Sequence, residues 1–134
     1  MPAALEPVAA WRVVASPAAL DAARWLGADV DVLRIAPDEA LGLGATGVEI
    51  GGPAGGDPDA IVEPEAGFSV ALLDADGADL ARLAAHTEWP IPSTPGAIAQ
   101  GKIAGVPAKL RIGEPMLLVV QTGFADELTR RLGW

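Results

Sequence analysis

Glycine and proline limit how long any element of this chain can be, since 16 of its 134 residues are Gly and 12 are Pro. Gly51 to Pro58, GGPAGGDP, sustains neither helix nor strand and reads as a loop. Glu88-Trp89-Pro90-Ile91-Pro92-Ser93-Thr94-Pro95-Gly96 holds three prolines and reads as a stiff, extended surface strap. Charge, Gly or Pro interrupts every apolar stretch before it reaches the roughly 18 residues a membrane helix needs. A soluble chain with no membrane partner is therefore expected. Met1 to Trp11 lacks the basic start and unbroken apolar run of a secretion signal.

Between these breaks the pattern alternates helix and strand. Ser16-Pro17 supplies an N-cap and a first-turn proline, and the spacing predicts a helix over Ala18 to Leu26, closed by Gly27 and facing inward with Leu20, Trp25 and Leu26. Val30, Val32, Leu33 and Ile35 form a β-branched run that stops at Pro37-Asp38-Glu39, and Ala40 to Ala45 returns from it as a hairpin. Ile61 and Val62 lead through Pro64 and Gly67 into a strong strand, Phe68 to Leu73. Asp76 to Thr87 follows as a helix with Leu80, Leu83 and Ala84 on one face. Strands near Ala97 to Ala104, Val106 to Ile112 and Met116 to Gln121 make an antiparallel meander with turns at Gly105 and Gly113-Glu114-Pro115. A last helix, Phe124 to Leu132, carries Phe124, Leu128 and Leu132 on one stripe. This order predicts a single α+β domain over 1–134, a mainly antiparallel sheet with helices on one face.

Composition narrows the function. Hydrophobic residues make up 51% and charged residues 20%, a balance that folds. The net charge of -9 repels a phosphate backbone, so nucleic acid is not an expected partner. Residues 1–67 hold 11 acids and 3 bases, whereas residues 68–134 hold 7 acids and 6 bases, which makes the second half the better candidate for a partner-facing surface. No cysteine is present, so disulfides, thiolate metal sites and thiol nucleophiles are out, and a cytoplasmic location is the simplest expectation.

Gly42-Leu43-Gly44-Ala45-Thr46-Gly47 matches G-x-G-x-x-G. A dinucleotide site needs a helix to start there, and Val48-Glu49-Ile50-Gly51-Gly52-Pro53 does not start one. Asp74-Ala75-Asp76-Gly77-Ala78-Asp79 suggests a calcium loop, yet the bidentate position falls on Ala85 and the required glycine on Asp79, so an acidic helix cap is preferred. His86 is the only histidine and sits at a predicted helix end, where the dipole favours a cation without any chemistry. No catalytic set and no metal-ligand set emerges. Lys109 and Arg111 share a strand face, and Lys102 joins them from the neighbouring strand. They are candidates for holding a carboxylate or phosphate, or simply basic residues on an open sheet face. Trp11, Trp25, Trp89 and Trp134 are each either an interface anchor or a core plug.

Val62 to Leu80 looks like the strand, turn and helix unit shared by the glycine-cleavage T-protein and the gamma subunit of heterotetrameric sarcosine oxidase. Trp89-Pro90-Ile91-Pro92 and Gly96 to Leu110 resemble the strap and hairpin that follow in the gamma subunit, and Val32 to Leu43 resembles its earlier hairpin. The likeness spans most of residues 30–133, but it does not extend to the T-protein's catalytic aspartate. It implies a ferredoxin-like, folate-binding T-protein-type domain and a noncatalytic subunit that supports assembly with larger flavoprotein subunits. FAD, FMN, NAD and tetrahydrofolate would then belong to those partners and none to this chain. The partner interface expected is Trp89 and Ile91 on the strap with Lys109 and Arg111 on the sheet, the strap adding little to the core. The alternative is a stand-alone carrier or one-carbon transferase for a folate-like anion, held by Lys102, Lys109 and Arg111.

Overall fold

Nine strands and three α-helices follow one another in the computed structural model, which describes residues 4–51, 57–74 and 77–134. They run β1 (Glu6–Val14), α1 (Pro17–Asp21), β2 (Arg24–Leu26), β3 (Asp31–Ala36), β4 (Glu39–Leu43), β5 (Gly47–Glu49), β6 (Ile61–Leu73), α2 (Ala78–Ala85), β7 (Ile98–Ile103), β8 (Val106–Arg111), β9 (Met116–Gln121) and α3 (Ala125–Leu132). Strand accounts for 46% and helix for 19%, and the registered pairs β1–β4, β3–β4, β2–β5, β6–β9, β8–β9 and β7–β8 are all antiparallel. The mainly antiparallel sheet anticipated from the sequence is present. The chain divides into two compact units, Val8–Ala66 and Gly67–Trp134, the latter taking in the chain up to Pro7. Most of the Gly51 to Pro58 loop and the centre of the Asp74 to Asp79 turn lie outside the described residues.

In the first unit the strand order is β3-β4-β1, with β2 and β5 as a separate two-stranded ribbon. The β3–β4 hairpin forms where Pro37-Asp38 divides the two runs. Arg34 secures that turn, donating from Nη2 to the Pro37 carbonyl at 2.9 Å and from Nη1 to the Asp21 carboxylate at 2.9 Å. Ser16 does cap α1, its Oγ accepting from the Ala19 N–H, with Pro17 at the first helical position.

The helix nevertheless stops at Asp21, and the expected continuation to Leu26 is corrected. Arg24-Trp25-Leu26 is a strand paired with Gly47-Val48-Glu49, and Gly27, at φ 144°, turns the chain after it. The reason is local to β4. Gly42 leaves room for the Trp25 ring, which a Cβ would clash with, and seating that ring outweighs helix propensity. The strand β1 was not anticipated. Its one basic residue, Arg12, is paired with Glu39 on β4 at 3.2 Å and Glu63 on β6 at 3.0 Å.

The second unit has the order β6-β9-β8-β7, so the predicted meander is present. Its first turn uses Ala104 at φ 50° and Gly105 at φ 79°, the positive-φ pair that suits the twist of a two-residue hairpin. One sheet face, with Ala71, Leu73, Ala108, Leu110, Leu118 and Val120, is covered by Leu83 from α2 and by Ala125, Leu128 and Leu132 from α3. Phe124 is not part of that helical stripe. It belongs to a 3-10 turn, Thr122–Phe124, and is 37% exposed. Asp126 and Glu127 open α3 and Arg130 and Arg131 close it, which opposes the helix dipole at both ends. Arg82 on α2 donates to the Gly133 carbonyl at 2.9 Å, tying the two helix ends together.

Candidate functional site

The proline strap is built into the second unit. At its start the His86 carbonyl accepts from the Ala104 N–H at 2.8 Å, and at its end the Gly96 N–H donates to the Ile112 carbonyl at 2.7 Å. Trp89 and Ile91 are half-buried and pack against the core cluster, so the expectation that the strap adds little to the core is corrected.

Trp89 also completes a strand edge. Pro107 has no N–H, so its pair with Lys102 exchanges no hydrogen bonds, and the backbone N–H and C=O of Lys102 turn away from β8. β7 is the last strand of the order, and the Trp89 Nε1–H donates to the Lys102 carbonyl at 2.8 Å. The indole rests against Gly101, where a Cβ would stand 2.6 Å from Nε1. A glycine inside an otherwise regular strand was the sequence signal for this approach.

Between the strap, α2 and the β8–β9 turn lies a cleft of about 720 Å³. Leu80 and Ala84 come from α2, Trp89 to Ser93 and Pro95 from the strap, and Ile112, Gly113, Glu114 and Met116 from the strand ends. Its size falls within the range of small-molecule sites. Two of its donors are already committed: the Trp89 indole N–H to the Lys102 carbonyl and the Ile112 N–H to the Ala97 carbonyl at 2.8 Å, while the prolines have no N–H and Ser93 brings a hydroxyl. The Glu114 carboxylate is exposed and makes no hydrogen bond or ion pair among the described residues.

Lys102, Lys109 and Arg111 do share a sheet face. Lys102 opposes Pro107, Gln100 opposes Lys109 and Ile98 opposes Arg111, so all of them project to the side away from the α2 and α3 core. The register extends this face through Val119 and Leu117, each 1% exposed, to Val70 and Leu72 on β6. Leu72 is 60% exposed, and the Lys109 ammonium lies 5.4 Å from the Phe68 ring centroid. Trp89 and Ile91 are on the opposite face, against the core. The four candidate interface residues therefore form two sites.

The glycine motif runs from β4 into β5 without a helix, and Gly44, at φ 83°, makes the turn. His86 follows α2 as its C-cap, and its imidazole makes no hydrogen bond among the described residues. Ser16 caps α1, Ser69 is hydrogen-bonded to Thr122 at 2.9 Å, and Ser93 lines the cleft. Among the described residues no cluster of three or more His, Cys, Asp or Glu is placed to hold a metal ion, and no helix is long and apolar enough to cross a membrane. Each tryptophan is half-buried. Comparison with protein-family models and with curated proteins finds no match to this chain.

Proposed function

We propose that the chain is a noncatalytic accessory subunit of a heteromeric sarcosine or related secondary-amine oxidase, a cytoplasmic flavoenzyme complex whose assembly it supports. The same proposal includes a ferredoxin-like, T-protein-type arrangement, with the flavins, NAD and tetrahydrofolate held by larger partner subunits. Its sequence support is the likeness across residues 30–133. The structural observation that carries it is Leu72, an apolar side chain left 60% exposed on a regular strand, on the same sheet face as Lys109 and Arg111. An exposed leucine on a sheet face that also carries cations suits a surface covered by a larger, acid-rimmed partner. Trp89, spent on its own core and strand edge, is less suited to that role. Purified alone, the chain is expected to show no amine oxidation and to bind no flavin. Amine-dependent hydrogen peroxide production by the isolated chain would refute the reading.

The Lys109–Phe68 contact favours a second reading, a stand-alone carrier or one-carbon transferase for a folate-like anion. The Phe68 ring beside Lys109, on the sheet face that also carries Lys102 and Arg111, offers both an aromatic surface and charge to such a ligand. Calorimetry with tetrahydrofolate and its polyglutamate separates the two. Micromolar binding to the isolated chain supports the carrier, and its absence favours the subunit.

A further inference from the structure

We infer that the cleft between the strap and α2 binds a small organic cation, an ammonium group on an apolar body. This assignment is independent of the oxidase proposal, because it concerns the opposite sheet face and needs no partner chain. Leu80, Ile91, Ile112 and Met116 supply apolar walls, and the strap supplies a rim that has already lost its conformational freedom.

The carboxylate at the cleft then selects the ligand's charge. Pro90, Pro92 and Pro95 offer acceptors only, the Trp89 indole N–H and the Ile112 N–H are committed within the protein, and the Ser93 hydroxyl can accept as well as donate. A carboxylate or phosphate entering here would lose its water and meet the like charge of Glu114. An ammonium meets the opposite situation. Its donors face acceptors, and its charge faces Glu114, which has no other partner among the described residues. The net charge of -9 adds a favourable long-range field for a cation. The indole of Trp89 provides an aromatic wall that attracts the same charge.

The test compares 2-phenylethylammonium with 3-phenylpropionate, two probes of similar size and opposite charge, by calorimetry and by the indole N–H resonance of Trp89. The ammonium is expected to bind saturably and to shift that resonance, and the carboxylate to do neither. Glu114→Gln keeps the volume and removes the charge, so the affinity for the ammonium should fall about threefold, the scale of an exposed ion pair. Ala84→Trp, at an exposed position on the cleft wall, should abolish binding. Circular dichroism checks that both variants fold, and should Ala84→Trp not fold, Glu114→Gln decides. Equal or tighter binding of the carboxylate, no binding of the ammonium, or unchanged affinity in Glu114→Gln would overturn the assignment.

Discussion

Gly101 and Trp89 are sterically matched: the indole occupies the space a side chain at 101 would need, with a Cβ there falling 2.6 Å from Nε1 and 2.7 Å from Cε2. The pairing fixes the strap against β7 and makes two otherwise unrelated positions interdependent. Trp89→Ala exposes core and frees the Lys102 carbonyl, and should cost about 2 kcal/mol. Gly101→Ala should cost a similar amount, about 2 kcal/mol, by displacing a ring that has nowhere to go. In the Trp89→Ala background, however, Gly101→Ala should be neutral or slightly stabilising, because alanine is better than glycine in a strand once the ring is absent. A double-mutant cycle on urea midpoints measures the coupling. Additive losses would mean that the two positions are independent.

Arg12 lies between Glu39 and Glu63, and its pKa is raised above the ordinary guanidinium value, first by the hydrogen bond to Glu39, with burial opposing. A raised folded-state pKa contributes stability that is complete below the unfolded value and is lost only as alkali passes it. Arg12→Met should therefore cost up to about 1 kcal/mol, a loss that shrinks in high salt. Through the neutral range the Arg12 contribution should not vary with pH. Thermal melts of the two proteins across pH and salt check both statements.

Ser69 is a buried polar side chain, 1% exposed, with its hydroxyl 2.9 Å from that of Thr122. Thr122 is exposed and can turn to water, so Ser69→Ala leaves no stranded partner and should cost about 1 kcal/mol. Ser69→Val enlarges the side chain at a position only 1% exposed, and should cost more, about 2 kcal/mol. Urea unfolding of both variants ranks them.

The elements legible in the sequence were those whose boundaries are local. Pro37-Asp38 and Gly105 mark turns by backbone chemistry alone, and the β3–β4 hairpin and the β7–β8–β9 meander stand where those residues put them. The end of α1 was hidden because it is decided elsewhere. Trp25 lies at an acceptable helical position, and only the missing side chain at Gly42, 17 residues on, makes its strand position the better one. β1 was hidden because Arg12 breaks its apolar run, and the two carboxylates that permit this come from other strands. The shared face of Lys102, Lys109 and Arg111 followed from strand alternation. The cleft did not, since its walls come from three separate stretches of chain.

The proposed role of the basic sheet face in assembly is tested most directly by a native pull-down of the tagged chain, read by mass spectrometry. Larger flavoprotein subunits should co-purify in fixed ratio and carry flavin absorbance into the eluate. Leu72→Asp places a charge at a 60% exposed position, and should lose those partners while melting like the parent. Elution of the parent chain without any flavoprotein would contradict the account.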